Sequence, residues 1–298
     1  MFNHYGLYLT DEHVQAARKG RDRDPLKRAW AQLNEFQTSA DLAAVLIAGF
    51  RYRFDDNTNA GMQAADMLYN FAYPSGSTLD TFMTMAAVAQ SYELLRPLFS
   101  PDKQTRWLTD FEAHLSTLGS GAAYHEYLWR EALRLFAGIV LDKPEMVEAG
   151  AETYRRAIRE DIRPDGYIQG AVEGRDGQSY FRHVVSTQAL VLMAEAAKHA
   201  GVDLWGYEQR GVSVVTAAAY PLYYYCYTAG WRWGLDLTEE VTQRALRAHG
   251  GFLEIVHHAR PLHDIGLLLK DWRPLFDLYG GGFTTLSHGS VARRGLFG

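Results

Sequence analysis

Apolar residues recur every three or four positions along most of this chain, which is the spacing of one face of an α-helix. No run alternates apolar and polar residues between turn signals, as a half-buried strand would. The pattern predicts helices over residues 11–19, 24–39, 59–71, 79–98, 101–118, 122–140, 143–161, 178–200 and 205–220. We therefore predict an all-α protein.

Connections of a few residues join the predicted helices, so helices that follow one another must pack antiparallel. A series of such pairs can close into a toroid whose inner helices meet at a cleft. Residues 51–59 and 73–78 are expected to form longer loops near its mouth. Residues after Tyr220 are expected to mix helices with wall-forming loops. No repeat or linker stands out, so we predict a single domain over residues 1–298.

Composition narrows the class of protein. Of the 298 residues, 47% are hydrophobic and 22% charged, as in ordinary globular domains, and no stretch approaches the length of a membrane-spanning helix. A net charge of −5 and a pI near 6.1 argue against nucleic acid as a partner. Aromatic residues make up 13% of the chain, and such rings serve either as stacking platforms for sugars or as core residues.

The termini and the cysteine content add little to this picture. The single cysteine, Cys226, excludes an internal disulfide framework and a cysteine-based zinc site. The first residues carry neither the basic nor the apolar segment of a secretory signal, so a cytoplasmic location is possible. A signal that had been removed would leave the same start. The oligomeric state does not follow from the sequence.

Metal-binding and cofactor-binding motifs are weak. The acidic stretch at residues 55–59 lacks the spaced ligands and terminal glutamate of a calcium loop, and a solvated turn is the alternative. His257 and His258 are adjacent, so their side chains point in different directions. The chain has no His-Glu-x-x-His motif, phosphate loop, dinucleotide fingerprint or Gly-x-Ser-x-Gly elbow. We therefore assign no metal and no cofactor.

A charged, glycine-rich segment at residues 166–183 precedes the apolar helical pattern of residues 184–197. Gly177 favours a turn, and Asp176 is the expected N-cap of the following helix. That helix carries Tyr180, Arg182 and His183 in its first two turns. These polar residues are therefore expected at the end of the helix that faces the cleft.

Arg175 in the same segment is a candidate anion-binding residue. It would lie beside free backbone N–H groups at the positive end of the helix dipole, an arrangement that holds carboxylates or phosphates. The alternative is that Glu173, Arg175 and Asp176 form only caps and surface ion pairs.

His125 is a second candidate. It begins a stripe with Trp129, Ala132 and Phe136 along one face of the helix predicted over residues 122–140. A histidine at the mouth end of an inward face either contacts substrate or is a satisfied core residue. Tyr124 flanks it on the same helix.

Several segments resemble the alginate-lyase-like polysaccharide lyases. They are residues 4–10, HYGLYLT; 165–167, DGY; 173–176, EGRD; 189–196, ALVLMAEA; 201–205, GVDLW; and 281–289, GGFTTLSHG. The resemblance implies an all-α enzyme built as an incomplete (α/α) toroid or barrel. It also implies an anionic polysaccharide substrate, cleavage of a polyuronate by β-elimination, and a secreted or periplasmic location.

The resemblance also assigns positions. The family's Asn-His pair falls on Tyr124 and His125, and its arginine falls on Arg175. Where the family has tyrosine seven residues further on, this chain has Arg182, so Tyr180 or Tyr124 would supply the phenol. These departures make glucuronan at least as attractive a substrate as alginate.

The chemistry implied by the resemblance gives each residue type a role. Arg175, with His125 and Gln178, would stabilise the negative charge that develops on the uronate carboxylate. Tyr180 or His183 would act as base and acid. Neighbouring sugars would be held by Tyr124, Glu173, Gln178, Arg182, Tyr224, Trp231 and Arg232, with core packing as the alternative for about half of the aromatic rings.

Two other functions stay open at this point. A glycoside hydrolase on the same architecture would need two carboxylates, for which Glu173 and Asp176 are the candidates. A non-catalytic carbohydrate-binding protein would keep the helical shell without the chemistry.

Overall fold

The computed structural model describes residues 2–36, 41–174, 176–234 and 237–291. The first eight α-helices are α1 (Asp11–Gly20), α2 (Leu26–Glu35), α3 (Leu42–Asp55), α4 (Thr58–Tyr69), α5 (Leu79–Leu95), α6 (Pro101–Leu115), α7 (Tyr124–Val140) and α8 (Pro144–Arg156). They are followed by α9 (Gln169–Val172), α10 (Ser179–His199), α11 (Val214–Cys226), α12 (Glu239–His249), α13 (Phe252–Ala259), α14 (His263–Trp272) and α15 (Thr284–His288). A π-helical turn, Ala157–Asp161, extends α8.

The all-α prediction is confirmed. Extended residues within the described ranges form only isolated bridges, such as the one between Ile162 and Ile168, and no strand. None of the described helices combines the length and the apolar character needed to cross a membrane.

The toroid is built around a row of inner helices. α3, α5, α7 and α10 pack side by side in that order, while α4 covers α3 and α5, and α8 covers α7. α5 and α10 are buried on all sides, because their sequences are apolar or small at nearly every position. α6, by contrast, buries only Trp107 and Phe111. The ring of Trp107 stacks on Tyr92 of α5 at 3.9 Å, which fixes the outer helix to the inner one.

The two ends of the described chain meet. α15 packs on α1, α2 and α13, and α13 packs on α10. Phe283 joins Trp30, Phe50 and Phe54 in a hydrophobic cluster that is separate from the main core. The cluster anchors the C-terminal helix against the N-terminal ones.

One predicted loop is wrong. Residues 42–55 form α3, so the stretch 51–59 contains the end of one helix and the start of the next, with only Asp56 and Asn57 between them. Asp55 accepts a hydrogen bond from Trp30 Nε1 at 2.7 Å, and Asp56 accepts one from Arg18 Nη2 at 2.8 Å. The acidic residues at the end of α3 are therefore bonded to side chains of α1 and α2. α3 escaped prediction because it is apolar around most of its circumference and shows little amphipathic period.

The helix predicted over residues 205–220 is displaced. Residues 205–212 form turns closed by a bridge between Gln209 and Val212, and α11 runs on through Pro221 to Cys226. The proline looks like a helix end in the sequence, but α11 contains it. The predicted loop at residues 73–78 is confirmed, and Ser77 Oγ in it accepts a hydrogen bond from the backbone N–H of Gly119 at 2.8 Å.

Candidate active site

His125 lies in the first turn of α7. The Glu126 carboxylate accepts hydrogen bonds from the backbone N–H groups of Ala122 and Ala123, at 2.8 and 3.0 Å, and so fixes where the helix begins. The Nδ1 atom of His125 is buried and has no hydrogen-bond partner among the described residues. Burial, together with the nearby positive charge of Arg182, lowers the pKa of His125 below 6.5. The imidazole is therefore neutral at neutral pH.

Arg182 of α10 holds the loop before its own helix. Its Nε donates to Ala171 O at 3.0 Å, Nη2 to Glu173 O at 2.9 Å, and Nη1 to Asp176 Oδ2 at 2.6 Å. The last two bonds hold Glu173 and Asp176, which precede and follow Arg175 in the sequence. Arg175 itself lies outside the described residues. We call residues 173–176 the clamped loop.

Gly174 is required inside the clamped loop. Its φ of +118° is rarely adopted by other residues, and a Cβ there would lie 2.8 Å from Arg182 Nη2. The bond from Arg182 also lowers the pKa of the Asp176 carboxyl to about 2, so this carboxylate stays ionised. Arg182 thus acts on the shape of the loop, and each of its three nitrogen atoms donates to a protein atom.

The N-terminus of α10 differs from the sequence prediction. Gln178 is the N-cap, and Asp176 Oδ1 accepts a hydrogen bond from the Gln178 backbone N–H at 3.1 Å. Asp176 therefore forms a turn two residues earlier and does not cap the helix. Gln178 lines a separate cavity of about 300 Å³ with Phe181 and His249. It does not line the groove described below.

Tyr180 and His183 are fully buried, contrary to the expectation that they face the cleft. The Tyr180 hydroxyl donates to Pro221 O at 2.9 Å, and His183 Nε2 donates to Ala217 O at 3.2 Å. Burial raises the pKa of Tyr180 and lowers the pKa of His183 to about 4. Both groups are therefore neutral, and in this conformation neither presents a proton-transferring atom to solvent.

Tyr124 is held from two sides. Its hydroxyl donates to Asp161 Oδ2 in the π-helical turn at 2.8 Å, and a Cβ on Gly170 would lie 2.6 Å from its ring. Burial and the adjacent Asp161 carboxylate raise the pKa of Tyr124. The phenol is a neutral donor to Asp161, whereas the Nδ1 atom of His125 has no hydrogen-bond partner among the described residues.

An aromatic groove runs beside the clamped loop. One part is a cavity of about 630 Å³ lined by Val172, Glu173, Gly174, Trp231, Arg232, Trp233 and Gly234. An adjoining cavity of about 420 Å³ is lined by Asp165, Thr216, Ala219, Tyr220, Tyr223, Tyr224 and Arg232. Arg232 belongs to both parts. Glu173 connects the groove to the clamped loop, and its carboxylate accepts a hydrogen bond from Gln169 Nε2 at 2.9 Å.

Arg232 is the cation of the groove. Its side chain is 51% exposed, and Nη2 lies 3.0 Å from Asp165 Oδ2. The guanidinium carbon lies 4.9 Å from the ring centres of both Tyr167 and Trp233. Because exposed ion pairs are weak, this cation can exchange its partner for a ligand anion at small cost.

Hydrogen bonds and ring contacts hold the aromatic walls. Trp231 Nε1 donates to Ser179 Oγ at 3.0 Å, and its ring meets Tyr224 at 5.0 Å. Trp233 Nε1 donates to the Tyr220 hydroxyl at 3.0 Å. Sequence reasoning missed Tyr220 as a lining residue, although its spacing of four residues from Tyr224 places both on one face of α11.

The structure thus brings together part of the predicted site. His125, Arg182 and Glu173 gather at the clamped loop, while Tyr224, Trp231 and Arg232 form the groove beside it. The groove can bind an acidic sugar chain on aromatic faces and a cation, and the clamped loop connects it to the charges that act on His125.

Comparisons with known proteins agree with the fold. A family model described as alginate lyase matches residues 13–231. The chain is similar to a variant of alginate lyase A1-III complexed with a tetrasaccharide, with a TM-score of 0.70, 14% identity and 96% of each chain covered. Alginate lyase A1-III from Sphingomonas species A1 gives a TM-score of 0.66 at 16% identity, covering 89% of this chain and 78% of that one. An alginate lyase from Bacteroides ovatus gives 0.70 at 11% identity, covering 97% and 99%.

A search of curated protein sequences gave no match. At these low identities the structural likenesses show the fold alone. The family match rests on the sequence itself, and residues 13–231 include His125, the clamped loop and Trp231. The chain therefore belongs to the alginate lyase family, a family of polysaccharide lyases.

Proposed function

We propose that this protein cleaves an anionic polyuronate, of the glucuronan or alginate type, by β-elimination. The observation that carries the proposal is the position of a neutral and partly exposed His125 beside Arg182 and the clamped loop. The groove next to that loop supplies one cation and several aromatic faces.

Charge is the main obstacle to the reaction. The C5 proton of a uronate leaves from a carbon that bears a carboxylate, so the carbanion adds negative charge to an anion. Arg175 lies between two residues that Arg182 fixes in place, and we assign to it the neutralisation of that carboxylate. A preorganised donor of this kind contributes roughly 10²–10³ in rate.

We assign the base to His125. Tyr180 and His183 are buried and bonded to backbone carbonyls, whereas His125 is partly exposed in the first turn of α7. The neutral imidazole takes the C5 proton, the electron pair forms the C4–C5 double bond, and the C4–O4 bond breaks. The imidazolium then returns the proton to O4 of the departing chain. Burial keeps the pKa of His125 low and so favours the neutral form that this step needs.

The groove fits a chain of acidic sugars. Trp231, Trp233 and Tyr224 offer ring faces, and Arg232 offers a cation to a sugar carboxylate. The tetrasaccharide held by the related alginate lyase A1-III supports binding of an oligosaccharide here. Since the substrate is a polymer outside the cell, we place the enzyme in the periplasm or the medium.

The test is ultraviolet absorbance over time with glucuronan, polymannuronate, polyguluronate and hyaluronan offered separately. We expect a rise with at least one polymer, since elimination leaves a conjugated double bond. Arg175→Ala and His125→Ala should abolish it, while His263→Gln, on the exposed side of α14, should not. Reducing ends that accumulate without absorbance would instead mean hydrolysis.

The structure weakens the hydrolase alternative. Its two candidate carboxylates, Glu173 and Asp176, already accept hydrogen bonds from Gln169 and Arg182. Arg182 also keeps the pKa of Asp176 near 2, so this carboxyl cannot serve as a general acid near neutral pH.

A further inference from the structure

Three histidines converge on one buried glutamate at the other end of α10. Glu195 and His199 lie one turn apart on that helix, His13 comes from α1 and His288 from α15. Glu195 lies about 18 Å along α10 from His183, at 1.5 Å per residue, so the cluster is distinct from the groove. Glu195 has no accessible surface, and His288 is 2% exposed.

The spacing of the nitrogen and oxygen atoms suits a metal ion. Glu195 Oε1 lies 3.2 Å from His199 Nε2 and 3.6 Å from His288 Nε2. Ligand atoms of His13, Glu195 and His199 all lie within 4.8 Å of one another. Metal bonds of about 2.0–2.1 Å place tetrahedral ligand atoms about 3.3–3.4 Å apart, and the distances from Glu195 to His199 and His288 are close to that spacing.

The nitrogen atoms that face Glu195 lack hydrogen bonds. The Nε2 atoms of His13, His199 and His288 are buried and have no hydrogen-bond partner among the described residues. His199 and His288 nevertheless lie within ion-pair distance of Glu195 Oε1, and such pairs would need a proton on each imidazole. Three orphaned nitrogens around one buried carboxylate require an explanation, because buried polar groups are rarely left unpaired.

On two of the histidines, His199 and His288, the opposite ring nitrogen is occupied as a metal-binding histidine requires. His199 Nδ1 donates to Leu7 O at 2.8 Å, so its Nε2 carries a lone pair that points toward Glu195. His288 Nδ1 lies 2.8 Å from Ser287 Oγ. Two acceptors, His199 Nε2 and the Glu195 carboxylate, would repel each other unless a cation or a proton lies between them.

We propose that Glu195, His199, His288 and His13 form a structural site for a divalent transition-metal ion of the Zn²⁺ class. A carboxylate and three imidazoles are a ligand set that Zn²⁺ takes in tetrahedral geometry. The site is closed, since all four ligand positions come from the protein.

Two neighbours must adjust when the ion binds. The backbone N–H of Thr10 donates to His13 Nδ1 at 3.1 Å, and Thr10 Oγ1 lies 3.0 Å from the same atom. Because Nδ1 accepts from the Thr10 N–H, neutral His13 carries its proton on Nε2. For the ion to bind Nε2, that proton must move to Nδ1, which then donates to Thr10 Oγ1 and gives up the bond from the backbone. Lys198 Nζ, 3.3 Å from Glu195 Oε1, turns to solvent, to which 45% of its side chain is already exposed.

The ion would join the two ends of the described chain. α1 and α15 pack on each other, and neither is long, whereas α10 is the central buried helix. One ion bound to residues of all three helices would fix the terminal helices to the core. It would stabilise the fold without taking part in cleavage of the substrate.

The test uses the full chain, stripped of metal with a chelator and then titrated with Zn²⁺ or Co²⁺. We expect one ion per chain, a higher Tm with either metal, and the visible absorption of tetrahedral Co²⁺. Glu195→Gln and His288→Gln should weaken binding by about 100-fold or more. His263→Gln, which changes an exposed histidine outside the cluster, is the matched control.

Two results would overturn the proposal. The first is a wild-type chain whose Tm is unchanged by either metal and which shows no Co²⁺ absorption; this result decides the matter even if a variant fails to fold. The second is a folded Glu195→Gln variant that binds Zn²⁺ as tightly as the wild type. Either result would mean that protons alone balance the cluster.

Discussion

His183 Nε2 donates to the carbonyl oxygen of Ala217 at 3.2 Å. In a regular helix that carbonyl would accept from the N–H four residues later, but Pro221 stands there and has no N–H. The Tyr180 hydroxyl donates to the carbonyl of Pro221 at 2.9 Å. His183 thus compensates for the proline inside α11, and Tyr180 adds a second bond to that helix, which carries Tyr220 and Tyr224 into the groove. His183 and Tyr180 are positioning residues for the aromatic wall.

Tyr180→Phe separates this role from acid–base catalysis. The change removes one buried hydrogen bond and should lower the free energy of unfolding by about 0.5–1.5 kcal/mol. Because the ring stays in place against Trp231, kcat should fall less than about tenfold. Urea denaturation and steady-state kinetics would measure both effects. A 10²–10⁴-fold loss of kcat with unchanged stability would return Tyr180 to the role of acid or base.

Stability should fall in acid partly through His183. Burial lowers its folded pKa to about 4, below the ordinary 6.5, so the unfolded chain takes up the proton first. The contribution of His183 is therefore complete above pH 6.5 and declines as pH falls toward 4, by at most about 1.4 kcal/mol per pH unit.

Urea denaturation between pH 4 and 7 would measure this slope in the wild type and in His183→Gln. The variant should lose part of the slope but not all of it, since burial also lowers the pKa of His13 to about 3. Equal slopes in the two proteins would show that His183 does not carry the effect.

Much of the fold is readable from the sequence, whereas the orientation of site residues is not. α10 was predicted over residues 178–200 and observed at Ser179–His199, because a long apolar run defines it. The sequence does not indicate which residues of α10 face the groove. A helix that is apolar on all sides has no amphipathic pattern from which its inner face could be predicted. The bonds of Tyr180 and His183 to α11 join residues 41 and 34 positions apart, which spacing rules do not reach.

The proposed metal site could be predicted only in part from the sequence. Glu195 and His199, four residues apart on one helix, could have been recognised as a metal-ligating pair. Their partners His13 and His288 come from the two ends of the described chain, and only folding brings them together. The missed helix α3 has a simpler cause, because its apolar surface gives no amphipathic period.

His125 should control the acid limb of the pH–rate profile. If its neutral form is the base, kcat/KM falls as pH drops through a pKa below 6.5. His125→Ala should reduce kcat/KM by about 10²–10⁴ and remove this limb. A variant that keeps the wild-type profile at reduced rate would show that another group titrates.

Arg182→Gln tests the cause of that low pKa. Removing the guanidinium withdraws a positive charge from His125 and releases the Asp176 carboxylate, and both changes raise the histidine's pKa. The acid limb should therefore move to higher pH, which kcat/KM measured across pH 5–8 would reveal. Because the clamped loop also loses its tether, kcat should fall at every pH. An unmoved limb would mean that burial alone sets the pKa.

Arg232 should govern substrate affinity rather than turnover. It lies in the groove with half of its side chain exposed, and its partner Asp165 is exposed as well. Arg232→Gln should raise KM for the polymer and reduce the dependence of KM on salt, with little change in kcat, because a cation away from the reacting carbon binds the ground state and the transition state equally.

Asp165→Asn is the matched control for Arg232→Gln, since it frees the Arg232 guanidinium from its ion pair while keeping its charge. The variant should keep or lower KM, because a sugar carboxylate no longer competes with Asp165 for the cation. Steady-state kinetics at low and high ionic strength would compare the two variants. The contrary result is a kcat that Arg232→Gln lowers by about 100-fold at unchanged KM. The guanidinium would then act on the transition state. In that case the reacting carbon would lie in the groove next to Trp233 and not beside His125.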